Sequence, residues 1–129
     1  MEMEVEIILF VSDLTKSKAF YQELLSQKPI LDVPGMTEFK LGNFGKLGLM
    51  ASNGIARILG DKIPHPDSGK GIPRCELYFR IDNLEHEFEA ALNSGATLIS
   101  PIQDRDWGDK AGYMADPDGN IIAFATPIL

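Results

Sequence analysis

The sequence is poor in cysteine, in basic residues and in long hydrophobic runs, and each shortage excludes a class of protein. Cys75 is the single cysteine, so no disulfide can form within the chain, and we expect a reducing, cytoplasmic environment. Twelve basic residues stand against 19 acidic ones, for a net charge of -7. This balance disfavours a nucleic-acid partner, which requires clustered lysine and arginine.

Membrane insertion and secretion are disfavoured by the same kind of shortage. No apolar run approaches the roughly 20 residues that a membrane span requires. The first ten residues, MEMEVEIILF, are acidic where a secretory leader would be basic, so we expect no leader. With 129 residues, of which 44% are hydrophobic, the chain fits one globular domain or two half-size modules that share a core.

A strand followed by a helix occurs twice in the sequence. Residues 6–21 read EIILFVSDLTKSKAFY, and residues 76–88 read ELYFRIDNLEHEF. In each copy a glutamate stands seven positions before the turn residue, Asp13 or Asn83, and a leucine follows that turn residue. We therefore interpret the chain as an internal repeat of one structural unit, so that a functional residue in one copy is expected to have a counterpart in the other.

Apolar periodicity and turn residues predict the remaining elements. The first module contains a strand at 5–11, a helix at about 15–26, and strands at 29–33, 36–41 and 46–52. Residues 53–74, rich in proline and glycine, are predicted to be a linker with at most a short helical turn at 55–59. The second module contains strands at 75–81, 96–101, 111–115 and 121–126, a helix at about 84–93, and a polar loop at 103–108. The sequence thus predicts an α+β fold of two βαβββ modules, at about 1–52 and 75–129, within one domain of residues 1–129.

Strand alternation separates each first strand into two faces. Residues 7, 9 and 11, and 77, 79 and 81, are apolar and are predicted to pack beneath the helices. The opposite faces carry Glu6 and Phe10 in one module and Glu76, Tyr78 and Arg80 in the other. A mixture of apolar, aromatic and charged side chains is typical of a ligand pocket.

The repeated βαβββ order, with FVSDLTKSKAFY in the first copy and DPDGN before the last strand, resembles the vicinal oxygen chelate superfamily. That group includes glyoxalase I, extradiol dioxygenases, fosfomycin resistance enzymes and bleomycin resistance proteins. The resemblance implies a curved mixed sheet around a cup, with the helices outside, and a homodimer. In metal-dependent members four ligands come from the first and last strands of each module, and these positions fall on Glu6, Gly48, Glu76 and Ala123. Two of the four have no side chain that can bind a metal.

We therefore predict a site that binds a small molecule and needs no cofactor. Glu6 and Glu76 are the candidate ligands if a divalent metal such as Mg²⁺ or Mn²⁺ binds after all. Trp107 is interpreted either as a stacking wall for a planar ligand or as a residue packed on the sheet edge. The predicted ligand-binding residues are Glu6, Phe10, Met50, Glu76, Tyr78, Arg80 and Trp107.

Three hypotheses of function are consistent with these residues, and catalytic residues are assigned in none of them. The leading one is a protein similar to bleomycin resistance proteins, which sequesters an amphiphilic or cationic compound. The alternative is a metal-dependent lyase or dioxygenase that uses Glu6, Glu76 and His65. The third is a relic that retains only the fold. His86 is predicted to lie on the surface, and Cys75 to be a small buried residue.

Overall fold

The two sequence copies form two structural units with the same strand order. The computed structural model describes residues 2–43 and 45–129. Residues 1 and 44, which belong to the predicted first module, lie outside the described residues. The chain divides at residue 70, inside the segment 53–74. The first unit is the part of the described chain up to residue 70, and the second unit is residues 71–129.

The first unit is a four-stranded open sheet in the order β1-β4-β3-β2. Strand β1 runs parallel to β4, and the other neighbours are antiparallel. The sheet is therefore mixed. Its elements are β1 (Val5–Val11), α1 (Leu14–Leu25), β2 (Leu31–Val33), β3 (Met36–Leu41) and β4 (Gly45–Ala51), followed by α2 (Ser52–Leu59) and a 3-10 helix (Pro66–Gly69).

The second unit repeats this arrangement in the order β5-β8-β7-β6. Here β5 is parallel to β8, and the other pairs are antiparallel. The predicted α+β class and the two βαβββ modules are therefore confirmed. The elements are β5 (Glu76–Arg80), α3 (Leu84–Asn93), β6 (Thr97–Asp104), β7 (Asp109–Ala115) and β8 (Ile121–Pro127).

One helix covers one face of each sheet, as strand alternation predicts, but Ile7, which was predicted to pack beneath α1, is 43% exposed. Helix α1 begins at Asp13, whose side chain accepts a hydrogen bond from the N–H of Lys16 at 3.0 Å, the expected N-cap. Apolar side chains of several strands are buried together with the apolar stripe of each helix. These core residues are Leu9, Val11, Phe20, Tyr21, Leu24, Phe39, Leu47 and Leu49 in the first unit, and Leu77, Leu84, Phe88, Met114, Ile122 and Phe124 in the second.

Several local predictions were wrong. Helix α2 is longer than the predicted turn, and Cys75 is exposed, not buried. Asn83 takes the N-cap position of α3, but with a left-handed φ of 53° and no hydrogen bond from its side chain. Strand β6 extends to Asp104, beyond its predicted end at residue 101 and into the first two residues of the predicted loop at 103–108. Because β6 is an edge strand, Pro101 can occupy it without breaking a ladder between two neighbours.

No helix among the described residues is long and apolar enough to cross a membrane.

Candidate functional site

The sheet face of the first unit that lies opposite α1 collects three of the predicted ligand-binding residues. Side chains of residues paired across neighbouring strands project from the same face. Glu6 pairs with Lys46, and Phe10 pairs with Met50. Glu38 of β3 pairs with Gly48 on the same face. Glu6, Phe10 and Met50 therefore share this face with Glu38, which the sequence analysis did not single out.

Gly48 allows the Glu6 carboxyl group to lie over the middle strand. A Cβ atom at position 48 would stand 2.5 Å from Glu6 Oε2 and 2.7 Å from the Met36 methyl group. The space that a side chain at position 48 would fill is therefore occupied by Glu6, whose strand lies on one side of β4. Glu38 comes from β3, on the other side of β4, and carries an ion pair of 3.9 Å to Lys46.

The Glu6 carboxyl group lacks a full set of partners. Its Oε2 atom is buried and has no hydrogen-bond partner in the part of the chain that the structure describes. Burial raises the pKa of Glu6, and Glu38 raises that pKa further because it accepts the proton of a neutral Glu6 and repels an ionised one. Lys46 opposes this effect. The surroundings of Glu6 therefore favour its neutral form.

Replacing Glu6 with glutamine is expected to stabilise the protein at neutral pH by on the order of 1 kcal/mol, because an amide can donate to Glu38 without ionising. A raised carboxyl pKa means that the native state binds the proton more tightly. The stability that Glu6 contributes is thus greatest below its ordinary pKa of 4.5 and is lost as pH rises through the raised pKa.

Urea unfolding of both proteins across this pH range measures the difference. The advantage of Glu6→Gln should disappear in acid, where wild-type Glu6 is protonated in both the folded and the unfolded state. A glutamine variant that is less stable than wild type at neutral pH would contradict the account of Glu6.

A cavity of about 520 Å³ lies beside this carboxyl group. Its lining includes Glu6, Lys46, Lys40 and Ile30, and its volume is in the range of small-molecule pockets. Phe10 and Met50 do not line this cavity. They extend the same sheet face as a half-buried apolar strip.

The second unit brings three further predicted residues together around a buried carboxylate. Tyr78 donates a hydrogen bond to Asp109 Oδ2 at 2.6 Å, and the Nε and Nη2 atoms of Arg80 donate to the same oxygen at 3.1 and 3.0 Å. The Trp107 indole N–H donates to the Tyr78 hydroxyl at 2.9 Å. Asp109, which the sequence analysis did not single out, is 4% exposed. The structure thus joins Tyr78 and Arg80 through Asp109, and Trp107 through Tyr78.

The charges in this network follow from its geometry. The hydrogen bond from Tyr78 and the contacts with Arg80 hold the pKa of Asp109 below its ordinary value, against the effect of burial. Burial and the neighbouring Asp109 carboxylate raise the pKa of Tyr78. At neutral pH the network therefore consists of an ionised Asp109, a neutral Tyr78 and a cationic Arg80.

Glu76 lies on the same face but outside this network. It is exposed. Burial raises the pKa of Tyr113, and the charge of Glu76 raises that pKa further. Arg105 lies over the Tyr113 ring at 5.1 Å and donates to the carbonyl groups of Pro101 and Ala111. Arg105 thus fixes the loop before β7.

The side chains at the four metal-ligand positions do not make a complete ligand set. Gly48 and Ala123 have no donor atom, and Glu6 is engaged with Glu38. His65 is not available as a substitute, because its Nε2 is 2.9 Å from Asn53 Oδ1 and its Nδ1 accepts from the N–H of Asp67. Over residues 2–43 and 45–129, no three His, Cys, Asp or Glu side chains converge as a metal site requires.

Glu38 carries a signal that sequence reasoning can use, whereas the burial of Asp109 does not. Glu38 alternates with the core residues Thr37 and Phe39, so it projects from the sheet face that carries Glu6 once β3 is paired with β4. Asp109 opens β7 two residues after Trp107. Its burial has no local sequence signal, because it depends on Tyr78 and Arg80, about 30 positions earlier.

Two βαβββ units with mixed sheets and a polar, partly apolar face opposite the helices define an α+β protein of the vicinal oxygen chelate type. The family model described as a glyoxalase-like domain matches residues 4–128. The chain belongs to this family.

Two mycobacterial relatives are similar over nearly the whole chain. An uncharacterised protein of Mycobacterium bovis is 28% identical, over 93% of this chain and 80% of its own length. An uncharacterised protein of Mycobacterium tuberculosis has the same identity and share of this chain, over 72% of its own length.

Solved structures share the fold. A glyoxalase-related enzyme from Fulvimarina pelagi superposes with a TM-score of 0.80 at 22% identity, over 98% of this chain and 88% of that one. A glyoxalase/bleomycin resistance protein/dioxygenase family enzyme from Burkholderia phytofirmans gives 0.78 at 17% identity, over 95% and 97%. At these identities the likeness concerns the fold alone.

Proposed function

We propose that this protein binds or sequesters an amphiphilic small molecule without a bound metal ion. The observation that carries the proposal is the position of Glu6 over Gly48. Position 48 has no side chain that could bind a metal, and the space above it is filled by the carboxyl group of Glu6 from the neighbouring strand β1. Ala123, at the corresponding position of the second unit, also lacks a donor atom.

The chemistry of the ligand follows from what the first unit leaves unsatisfied. The buried Oε2 of Glu6 is an acceptor without a donor, and burying such a group costs about 1–3 kcal/mol. A ligand head that donates a hydrogen bond removes this cost. Glu38 and the net charge of -7 favour a cationic donor such as an ammonium group.

The apolar part of the ligand has a surface to contact. Ile8, Phe10, Met36 and Met50 lie on the face that carries Glu6, and Ile8 is 40% exposed. Covering these side chains contributes roughly 25 cal/mol per Å² of apolar surface. An alkyl or aryl tail joined to an amine head matches this combination of surfaces.

Calorimetric titration with octylammonium, below its micellar concentration, tests the proposal. We expect octylammonium to bind at least about tenfold more tightly than octanoate, which has the same tail and the opposite charge. Glu38→Gln should remove most of this preference. Asp61→Asn, which removes the same charge from an exposed loop of the first unit, should leave it unchanged.

Metal analysis of protein purified without chelator distinguishes the metal-dependent alternative. Our proposal expects no stoichiometric divalent ion. A stoichiometric ion that is lost in Glu6→Ala or Glu76→Ala would overturn the proposal and favour a lyase or dioxygenase. Equal affinities for octylammonium and octanoate would show that the carboxyl pair does not select the ligand.

A further inference from the structure

Arg80 presents one edge of its guanidinium group to solvent while the other edge is fixed. The edge formed by Nε and Nη2 faces a single oxygen of Asp109. The remaining edge, formed by Nη1 and Nη2, has no partner among the described residues. Two parallel N–H groups on this edge match the two oxygens of a carboxylate. The Arg80 side chain is 62% exposed, so a ligand can reach it.

Arg80 is held in place although it is exposed. It pairs with the buried Asp109 carboxylate, and its guanidinium carbon lies 5.2 Å from the centre of the Tyr78 ring. A flexible surface arginine loses rotamer freedom when it binds a ligand, and this entropy opposes binding. Because Asp109 and Tyr78 already restrict Arg80, much of that loss has been incurred before a ligand arrives.

Trp107 is fixed beside Arg80 by the same tyrosine. Its indole N–H is bonded to the Tyr78 hydroxyl, yet 56% of the residue is exposed. A single exposed apolar residue is ordinary on a protein surface, so what matters at Trp107 is that Tyr78 fixes the orientation of its exposed ring. Tyr78 therefore connects two exposed and oriented groups, a cation over its ring and an indole at its hydroxyl.

A role as counter-ion to Asp109 explains only part of this arrangement. Tyr78 and the inner edge of Arg80 satisfy Asp109 Oδ2 by themselves. That role requires neither the free outer edge of the guanidinium nor an oriented, exposed indole. Both of these features are what a ligand with an anionic head and a flat body would contact.

We propose that Arg80 and Trp107 form a binding site in the second unit for a carboxylate carried on a planar apolar group. Tyr78 and Asp109 are positioning residues, since they orient Arg80 and Trp107. This site consists of residues of the second unit, whereas the proposed carboxyl pair consists of residues of the first, and its ligand has the opposite charge at its head.

The protein's net charge narrows the class of ligand. A chain with a charge of -7 repels anions in general, and Arg80 is already partly neutralised by Asp109. A small carboxylate such as acetate therefore gains too little from Arg80 alone. A planar group adds contact with the Trp107 ring, so an aromatic carboxylate is expected to bind where acetate does not.

Fluorescence of the single tryptophan reports directly on this site, because Trp107 is the only one in the chain. Benzoate is the probe, titrated with excitation at the red edge of the tryptophan absorption. We expect a saturable change with benzoate, and at least about tenfold weaker binding of acetate and of benzamide, the neutral analogue of the same shape.

Variants then assign the effect to named residues. Arg80→Gln should weaken benzoate binding at least about tenfold, and Arg80→Lys should restore little of it, because an ammonium group cannot form the two-pronged contact. Tyr78→Phe should alter the fluorescence of the free protein and reduce the preference for benzoate over benzamide. Arg74→Gln is the matched control in the same unit, since Arg74 is also exposed.

Three results would overturn the proposal. These are the absence of a saturable response to benzoate, equal affinities for benzoate and benzamide, and an Arg80→Gln variant that is folded and binds benzoate like wild type. Circular dichroism of each variant establishes folding, and Arg80→Lys supplies a second test if Arg80→Gln does not fold.

Discussion

Replacing Asp116 with alanine is expected to lower the free energy of unfolding by about 3 kcal/mol, because three donors lose their acceptor at once. Asp116 Oδ1 accepts from the N–H groups of Asp118 and Asn120 at 2.9 and 2.8 Å, and Oδ2 accepts from the Asn120 amide at 2.9 Å. All three residues are at most 5% exposed. Water therefore cannot easily replace the lost carboxylate.

The turn that Asp116 organises also fixes the start of the second unit. The N–H of Gly71 donates to the carbonyl of Asp118 at 3.1 Å, and a Cβ atom at Gly119 would lie 2.9 Å from the Gly71 Cα. Loss of the Asp116 carboxylate is thus expected to loosen both the turn before β8 and the segment that packs on it.

Urea unfolding, followed by circular dichroism, measures this effect. Asp116→Asn keeps the acceptor at Oδ1 and should lose clearly less stability than Asp116→Ala. Asp61→Ala removes the same charge from an exposed position and should stay within about 0.5 kcal/mol of wild type. An Asp116→Ala variant as stable as the Asp61→Ala control would contradict the role of the carboxylate.

Local patterns in the sequence predicted much of the fold because they reflect local physics. Asp-Pro-Asp-Gly-Asn at 116–120 predicts a turn, since aspartate, asparagine and glycine satisfy or permit turn backbones. Alternation in β1 and β5 predicts which side chains pack beneath a helix. Neither pattern shows that the turn at 116–120 is buried, because this turn packs against Gly71, which is far away in the sequence.

Candidate site residues could be predicted where alternation within one strand places them on a face. They were harder to predict where their position depends on which strands pair with each other. Glu6, Tyr78 and Arg80 were identified from alternation within one strand. Glu38 requires the pairing of β3 with β4, which juxtaposes it with Gly48. Asp109 requires knowledge of its distant partners. Sequence alone therefore identified the face but missed Glu38 in the first unit and Asp109 in the second.

Gly48 and Gly112 each lie inside a strand. Their surroundings differ, however, in how easily neighbouring atoms can make room for a side chain. At Gly112 a Cβ atom would lie 2.6 and 2.7 Å from two carbons of the Phe88 ring and 2.9 Å from Ile102 Cγ1. Phe88 is 5% exposed, so its ring has no space into which to move. At Gly48 the nearest atoms are the flexible ends of Glu6 and Met36.

Gly112→Ala is therefore expected to lower the free energy of unfolding by about 1–3 kcal/mol, the usual cost of overpacking a well-filled core. Gly48→Ala should cost less than about 1 kcal/mol, because the Glu6 and Met36 side chains can swing aside. Gly54→Ala is the matched control. It lies inside α2 with its nearest neighbour 4.0 Å away, and alanine there should stabilise the helix by roughly 0.5–1 kcal/mol.

Urea unfolding of the three alanine variants at one pH compares them directly. The order of stability expected is Gly54→Ala, then Gly48→Ala, then Gly112→Ala. Because Gly48→Ala and Gly112→Ala add the same methyl group inside a strand, the difference between these two variants reports the space around each glycine. If Gly112→Ala were as stable as Gly48→Ala, then α3 would not pack on β7 as closely as the Phe88 contact requires, and the burial of that helix face would need another explanation.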